Sequence, residues 1–194
     1  MMNQPIPSAG KLVECNDRRD LRTLPALMAR LFLAVFPPVD VVDRLSELER
    51  AEIGGLRWTG REQWHITLRF LGEAEQGEVE DSLRGFQGSA TTVRLGPASR
   101  RLGGRVLVLS SEGLGELAAE VRTRTEDIGQ PPERRDFTEH LTLARARKRV
   151  PGTAVGLLFE AEFLATELWL VSSQLHPDGA RYTRLSRWPL EGAG

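Results

Sequence analysis

The pattern His-apolar-Thr-Leu occurs twice in this chain, as His65-Ile66-Thr67-Leu68 and as His140-Leu141-Thr142-Leu143. Polar and apolar residues alternate in both, which is the mark of a half-buried strand. Residues i and i+2 of a strand share a face. His65 and Thr67 therefore point one way, with Ile66, Leu68 and Phe70 opposite. His140 and Thr142 point one way, with Leu141 and Leu143 opposite. The apolar faces call for a core, and the histidine-threonine faces call for water or a ligand.

The repeat extends beyond four residues. Arg30-Leu31-Phe32-Leu33-Ala34-Val35 precedes the first motif, and Arg105-Val106-Leu107-Val108-Leu109 precedes the second. Arg30 and Arg105 each lie 35 residues before their histidine, and a helical stretch fills each interval. A unit of strand, helix and His-x-Thr strand thus recurs at an offset of 75 residues. Two copies are too few for a solenoid. They suit an α+β domain of two pseudo-symmetric lobes, each a mainly antiparallel sheet with flanking helices, with one histidine on each side of a central cleft.

The chain of 194 residues, 40% hydrophobic and 27% charged, is large enough for one sizeable core. Its formal net charge of −1 excludes the global basic field of a non-specific nucleic-acid binder. An anionic ligand must then be held by local charge. The single cysteine, Cys15, excludes an internal disulfide framework and fits a reducing, cytoplasmic setting. No apolar run approaches the length of a membrane span. Residues 1–28 are polar, aperiodic and rich in proline, and read as a flexible extension ahead of a domain spanning 29–194.

Other elements follow from periodicity and punctuation. Val39 to Ile53 reads as an amphipathic helix, with Asp40 as N-cap and Gly54-Gly55 as stop. Leu56 to Trp58 reads as extended. Glu75 to Phe86 and Leu114 to Ile128 read as helices. Thr91 to Leu95 reads as a strand stopped by Gly96-Pro97, and Arg100 to Gly104 as a turn. Thr166 to Leu175 and Tyr182 to Leu190 read as strands about a His176-Pro177-Asp178-Gly179 turn.

The two motifs, within this frame, resemble the paired signatures of the two-histidine phosphoesterase superfamily. Arg30 to Val35 is similar to the opening strand of its RNA 2′,3′-cyclic phosphodiesterases, long called 2′-5′ RNA ligases. Ser173-Gln174-Leu175, Gly179, Tyr182 and Leu185 are similar to their closing segment. The likeness covers roughly residues 29–190. A lone H-x-T means little, whereas two copies in order within a matching frame are specific.

The resemblance implies metal-independent opening of an RNA 2′,3′-cyclic phosphate end to a 2′-phosphate, with 2′-5′ ligation as the reverse reaction. It makes His65 the proton donor and His140 the proton acceptor, and it sets Arg145 beside the phosphate. The residues suit that chemistry. In-line displacement puts the attacking and leaving oxygens on opposite sides of phosphorus, and imidazole titrates near neutral pH. The hydroxyls of Thr67 and Thr142 can hydrogen-bond the non-bridging oxygens. No carboxylate cluster is spaced to hold a metal, and neither a metal nor another cofactor is expected. The expected partner is RNA with a cyclic phosphate end, bound by a monomer with no membrane association.

Parity raises two questions. Arg145 is an odd number of residues from His140, so it reaches the cleft only past a bulge or beyond a strand ending at Ala144. Arg69 shares the parity of His65 and Thr67, which sets it in the cleft. Trp58, Trp64 and Phe137 read as packing residues, Arg147-Lys148-Arg149 as a solvated loop, and His176 as a turn residue. Two alternatives stand beside the RNA enzyme: a non-catalytic module that binds RNA ends, and a phosphodiesterase for small cyclic nucleotides.

Overall fold

The computed structural model describes residues 29–50, 52–132, 136–176 and 179–192. The predicted extension 1–28, with Cys15, lies outside the described residues, as do Pro177 and Asp178 of the predicted turn. Nine strands and three helices are formed among the described residues, an α+β fold dominated by strands.

The strands are β1 (Ala29–Val35), β2 (Leu56–Trp58), β3 (Ile66–Ala74), β4 (Gly88–Leu102), β5 (Val106–Glu112), β6 (His140–Ala146), β7 (Ala161–Ala165), β8 (Glu167–His176) and β9 (Gly179–Gly192). The helices are α1 (Val39–Ser46), α2 (Gln76–Ser82) and α3 (Gly115–Arg124). The hydrogen-bonded path runs β2-β6-β3-β1-β8-β9-β4-β5, and a β5–β6 pairing closes it into a barrel-like ring. Every pairing between these strands is antiparallel except a short parallel contact of β4 with β9. The two histidine strands β3 and β6 are neighbours in this ring.

The internal repeat is visible in the register. β1 pairs with β3 as β5 pairs with β6, so each motif strand is backed by the first strand of its own unit. Ala34 stands opposite Thr67, and Val108 opposite Thr142. In the first pair Arg69 comes next, opposite Leu33, and Leu68 is skipped. In the second pair Ala144 comes next, opposite Leu107, and Leu143 is skipped. Both motif strands therefore carry a β-bulge directly after the threonine.

Core formation follows from the apolar faces. Leu31, Leu33 and Val35 of β1, Ile66, Leu68 and Leu71 of β3, and Leu141 and Leu143 of β6 join one large buried cluster with α1, α2 and α3. Each such side chain contributes about 1.5–3 kcal/mol on burial. Phe32, Ala34 and Val171 form a separate small cluster on the other face of β1 and β8.

Several predicted boundaries differ. α1 ends at Ser46 rather than Ile53. The Arg50 guanidinium turns back to donate to the Leu45 carbonyl at 3.3 Å, satisfying the last turn of the helix. Pro38, not Asp40, is its N-cap. β4 runs through Gly96-Pro97, joined by a cis peptide, and on to Leu102, so Arg100 to Leu102 is strand and not turn. Two different partners explain this length: β7 pairs with Thr91–Leu95 and β5 with both ends of the segment Arg94–Leu102. Strand β7 had no sequence prediction.

Candidate active site

β3 and β6 meet at one registered pair, Ile66 opposite Leu141. Continuing that antiparallel register sets His65 opposite Thr142, and Thr67 opposite His140. The two histidines thus flank one bridge between adjoining strands, near enough for the charge of His140 to act on His65. Beyond this pair the strands part, and a cavity of about 180 Å³ opens beside Thr67, Phe70, Phe137, Thr138 and His140.

Both imidazoles are held by the same local device. Nδ1 of His65 lies 2.7 Å from the Gln63 carbonyl oxygen, and Nδ1 of His140 lies 2.7 Å from the Thr138 carbonyl oxygen. A carbonyl only accepts, so each Nδ1 carries the hydrogen and Nε2 is the basic nitrogen of each neutral ring. Each carbonyl belongs to the residue two positions upstream of the ring it holds. Glu139, next to His140, accepts the Leu114 N–H at 3.0 Å and ties the start of β6 to the first turn of α3. Burial raises its carboxyl, the Leu114 hydrogen bond opposes this, and Glu112 adds to the rise.

The bulges decide what else faces the cleft. Leu143 and Ala144 are both buried, and the next residue, Arg145, is exposed. The extra residue resets the parity and turns Arg145 to the histidine face, where its charge is felt by His65. Thr59 fastens this bulge. Its N–H donates to the Leu143 carbonyl at 2.9 Å, and its hydroxyl lies 2.9 Å from the carbonyls of both Thr142 and Leu143. The Trp64 indole in turn donates to that hydroxyl at 3.0 Å.

The same reset turns Arg69 away from the face of Thr67 to the core side, opposite Leu33, which corrects the expectation from parity, although Arg69 still lines the cavity beside Thr67 and His140. Arg69 is 5% exposed. Its guanidinium donates to the carbonyls of Phe70, Thr125, Ile128 and Gln130, so it anchors the loop that follows α3. Gly129 lets that loop close on β3: it sits at φ 64°, where a Cβ would lie 2.1 Å from the Leu71 carbonyl oxygen. Phe70 takes the outward position instead and stacks under Arg30, whose Cζ is 5.6 Å from its ring centre.

An aromatic wall surrounds His65. Its ring centre is 4.8 Å from Phe32, 5.7 Å from Phe36 and 5.1 Å from Tyr182. Burial among these rings pushes the His65 pKa down to about 4, and the charges of Arg145, His140 and Arg184 push in the same direction. Only the hydrogen bond to Gln63 opposes them. His65 is therefore neutral at pH 7. Tyr182 has its pKa raised by burial, against the pull of Arg145, Arg57 and Arg30, and remains a hydroxyl donor.

Phe32, Phe36, Tyr182, Arg30, Arg57 and Arg184 join the site without belonging to either histidine motif. The unbroken apolar run Leu31 to Val35 is the one local sign that β1 buries both of its faces. What it did not signal was that β8 and β9 lie beside β1 and bring Tyr182 and Arg184 to the same side. Trp64 is fully buried, and Trp58 and Phe137 pack against the main core, as expected of packing residues. Arg147, Lys148 and Arg149 are exposed. His176 ends β8 at the hairpin tip. Among the described residues, no group of three or more His, Cys, Asp or Glu side chains is arranged to hold a metal. No helix among the described residues is long and apolar enough to cross a membrane.

Residues 35–96 match the family described as LigT like phosphoesterase. An RNA 2′,3′-cyclic phosphodiesterase of Thermus thermophilus is 33% identical over 186 residues, covering 84% of this chain and 91% of the relative. The chain belongs to the LigT-like phosphoesterase family. An RNA 2′,3′-cyclic phosphodiesterase of Thermotoga maritima is 28% identical over 84% of this chain and 96% of its own length. Among solved structures, a protein of Thermus thermophilus superposes with a TM-score of 0.73 at 31% identity, covering 85% of this chain and all of its own. Escherichia coli LigT complexed with 3′-AMP superposes with a TM-score of 0.69 at 27% identity, covering 84% of this chain and 99% of its own.

Proposed function

We propose that this LigT-like phosphoesterase opens the 2′,3′-cyclic phosphate at an RNA end by paired histidine catalysis, leaving a 2′-phosphate. The observation that carries this reading is the pair of imidazoles on adjoining strands, each with Nδ1 anchored 2.7 Å from a backbone carbonyl by the same local device. Two family relatives at 28–33% identity bear the name of this activity.

His140 takes a proton from water as the water oxygen bonds to phosphorus. The bond from phosphorus to O3′ breaks, and His65 gives its proton to the departing oxygen. Thr67, Thr142 and Arg145 hold the non-bridging oxygens, whose charge grows in the transition state. The cavity beside His140 is the approach for the nucleophile, and the ribose lies on the His65 side. A 5′-hydroxyl entering in place of water would undergo the same displacement, with its proton going to His140 and O3′ leaving, and form a 2′-5′ bond; attack of O3′ on that bond is the reverse. We read the two strand–helix–strand units as two halves about this seam, and residues 29–194 as one catalytic domain.

The low pKa of His65 bears on its role as donor. Burial and the charges of Arg145 and Arg184 oppose the proton on His65, and a charge on His140 would oppose it too. The cyclic phosphate is an anion, and its arrival between the rings favours the charged imidazole. The proton then enters with the substrate.

The test is product identification with a cyclic-ended RNA oligonucleotide in the presence of EDTA. Formation of a 2′-phosphate end, lost by about 10²–10⁴-fold in His65→Ala and His140→Ala, is expected. A 3′-phosphate product, or loss of activity with EDTA, overturns the proposal.

A further inference from the structure

Next to His65, across the Phe36 ring, lies a second feature that the reaction does not use. Arg184 lies between two aromatic rings, its Cζ 3.8 Å from the centre of Phe36 and 5.0 Å from that of Trp169. Phe36 is the same ring that packs 5.7 Å from His65. The guanidinium is therefore separated from the catalytic imidazole by one aromatic side chain. Trp169 is itself fixed: its indole donates to Glu167 at 3.2 Å, and Arg187, bonded to Glu167 at 2.5 Å, lies over its ring.

Arg184 makes no hydrogen bond or ion pair among the described residues, so its donors are unspent. Glu167 is the one carboxylate whose charge supports it, and the oxygens of Glu167 are already taken by Arg187 and Trp169. A surface groove begins here, lined by Phe36, Trp169, Arg61 and Arg184 with the carboxylates Glu62 and Glu167, and by Val39 and Leu164. Val39 is 73% exposed and Leu164 56% exposed, an apolar floor beside a fixed cation. Arg61, in contrast, is engaged by Asp43 and Ser46.

We infer that Arg184, clamped by Phe36 and Trp169, is a binding subsite for the phosphodiester one nucleotide upstream of the cyclic end. This rests on the proposed reaction, in which the ribose lies on the His65 side and the RNA body leaves in that direction. A guanidinium offers a planar fork that matches two phosphate oxygens. Stacking between two rings holds the fork in place before the ligand arrives, which lowers the entropy lost on binding. Phosphate contacts of this kind position a strand without reading its sequence. The subsite makes the protein selective for polynucleotide ends over cyclic mononucleotides.

The experiment compares kcat/KM for a cyclic-ended dinucleotide with that for the nucleoside 2′,3′-cyclic monophosphate of the same terminal base. The natural protein is expected to prefer the dinucleotide, and Arg184→Gln to reduce that preference by about tenfold. The salt dependence of dinucleotide turnover should become shallower by roughly 0.7 in log–log slope, the signature of one lost phosphate contact on a single strand. Arg184→Lys, which keeps the charge without the stacked fork, should restore most of the slope and only part of the preference. No preference in the natural protein, or an equal fall for both substrates in Arg184→Gln, overturns the subsite. Binding of a dinucleotide ending in a 2′-phosphate is measured by calorimetry in parallel. Were neither cyclic substrate turned over, the proposed reaction would fall, and calorimetry would still decide the subsite: about tenfold weaker binding in Arg184→Gln supports it, and equal binding overturns it.

Discussion

Leu68 and Leu143 are the extra residues of matching β-bulges, one directly after the threonine of each histidine strand. Each bulge lets two consecutive residues bury themselves and turns the third outward. In β6 the third residue is Arg145, and in β3 it is Phe70 with Arg30 stacked on it. The two halves of the site share a backbone device and differ in the charge it delivers. Catalysis on an asymmetric substrate, with one attacking and one leaving oxygen, is consistent with that difference.

The bulge in β6 depends on Thr59. Its hydroxyl has one proton for the two carbonyls at 2.9 Å, and it accepts from the buried Trp64 indole. Thr59→Val keeps the shape and removes both roles. A loss of about 1–2 kcal/mol in denaturant unfolding is expected, because the indole donor is left unsatisfied. KM should rise as Arg145 loses its fixed direction, and an unchanged KM would separate the bulge from substrate binding.

Arg69 and Arg145 should give opposite phenotypes. Arg69→Met leaves carbonyls of the loop after α3 without their donor, and should cost about 3 kcal/mol of stability. Activity per folded molecule should change little. Arg145→Gln removes an exposed side chain, and should leave the melting temperature unchanged while lowering kcat/KM by about 10². Melting curves and kinetics on both variants decide this, and a stability loss in Arg145→Gln would contradict the placement of its charge.

These contrasts show what the sequence could and could not reveal. The His-x-Thr alternation was enough to assign the histidines and threonines to one face, since i and i+2 need no knowledge of the partner strand. Arg69 and Arg145 lay one step beyond, where a bulge reverses the parity. A bulge belongs to a pairing and not to a strand, so nothing within Arg69's own neighbourhood announced it. The strand through Gly96-Pro97 was hidden for the same reason: proline and glycine read as a stop, and two partner strands carry β4 across them. The aromatic wall around His65 depends on β8 and β9 lying beside β1, a matter of strand order that local periodicity does not contain.

His65 ties stability to pH. Its pKa in the fold, about 4, is below the ordinary histidine value of 6.5. Above pH 6.5 both folded and unfolded forms are neutral at this position and the group has no effect. As pH falls below 6.5 the unfolded chain takes a proton that the folded chain refuses, so stability declines until about pH 4. The full difference is on the order of 3 kcal/mol. His65→Gln should flatten the fall in melting temperature between pH 6.5 and 4, and an unflattened fall would assign it to other groups.

The same imidazole offers the most direct measurement of the proposed proton path. In the empty protein, the His65 ring signal followed by NMR should titrate near 4, well below the ordinary value. Arg145→Gln removes one of the positive charges that oppose its proton, so the midpoint should rise. A nucleoside 2′-monophosphate bound between the rings should raise it further, because an adjacent anion favours the charged imidazole. The kinetic consequence has a definite sign. Since kcat/KM reports the free protein and kcat the bound complex, the lower apparent pKa should move upward from the first profile to the second. The two values belong to the histidine pair together. If His65 titrates near 6.5 in the empty site and does not respond to the nucleotide, the aromatic wall does not set its charge, and the donor must receive its proton by another route.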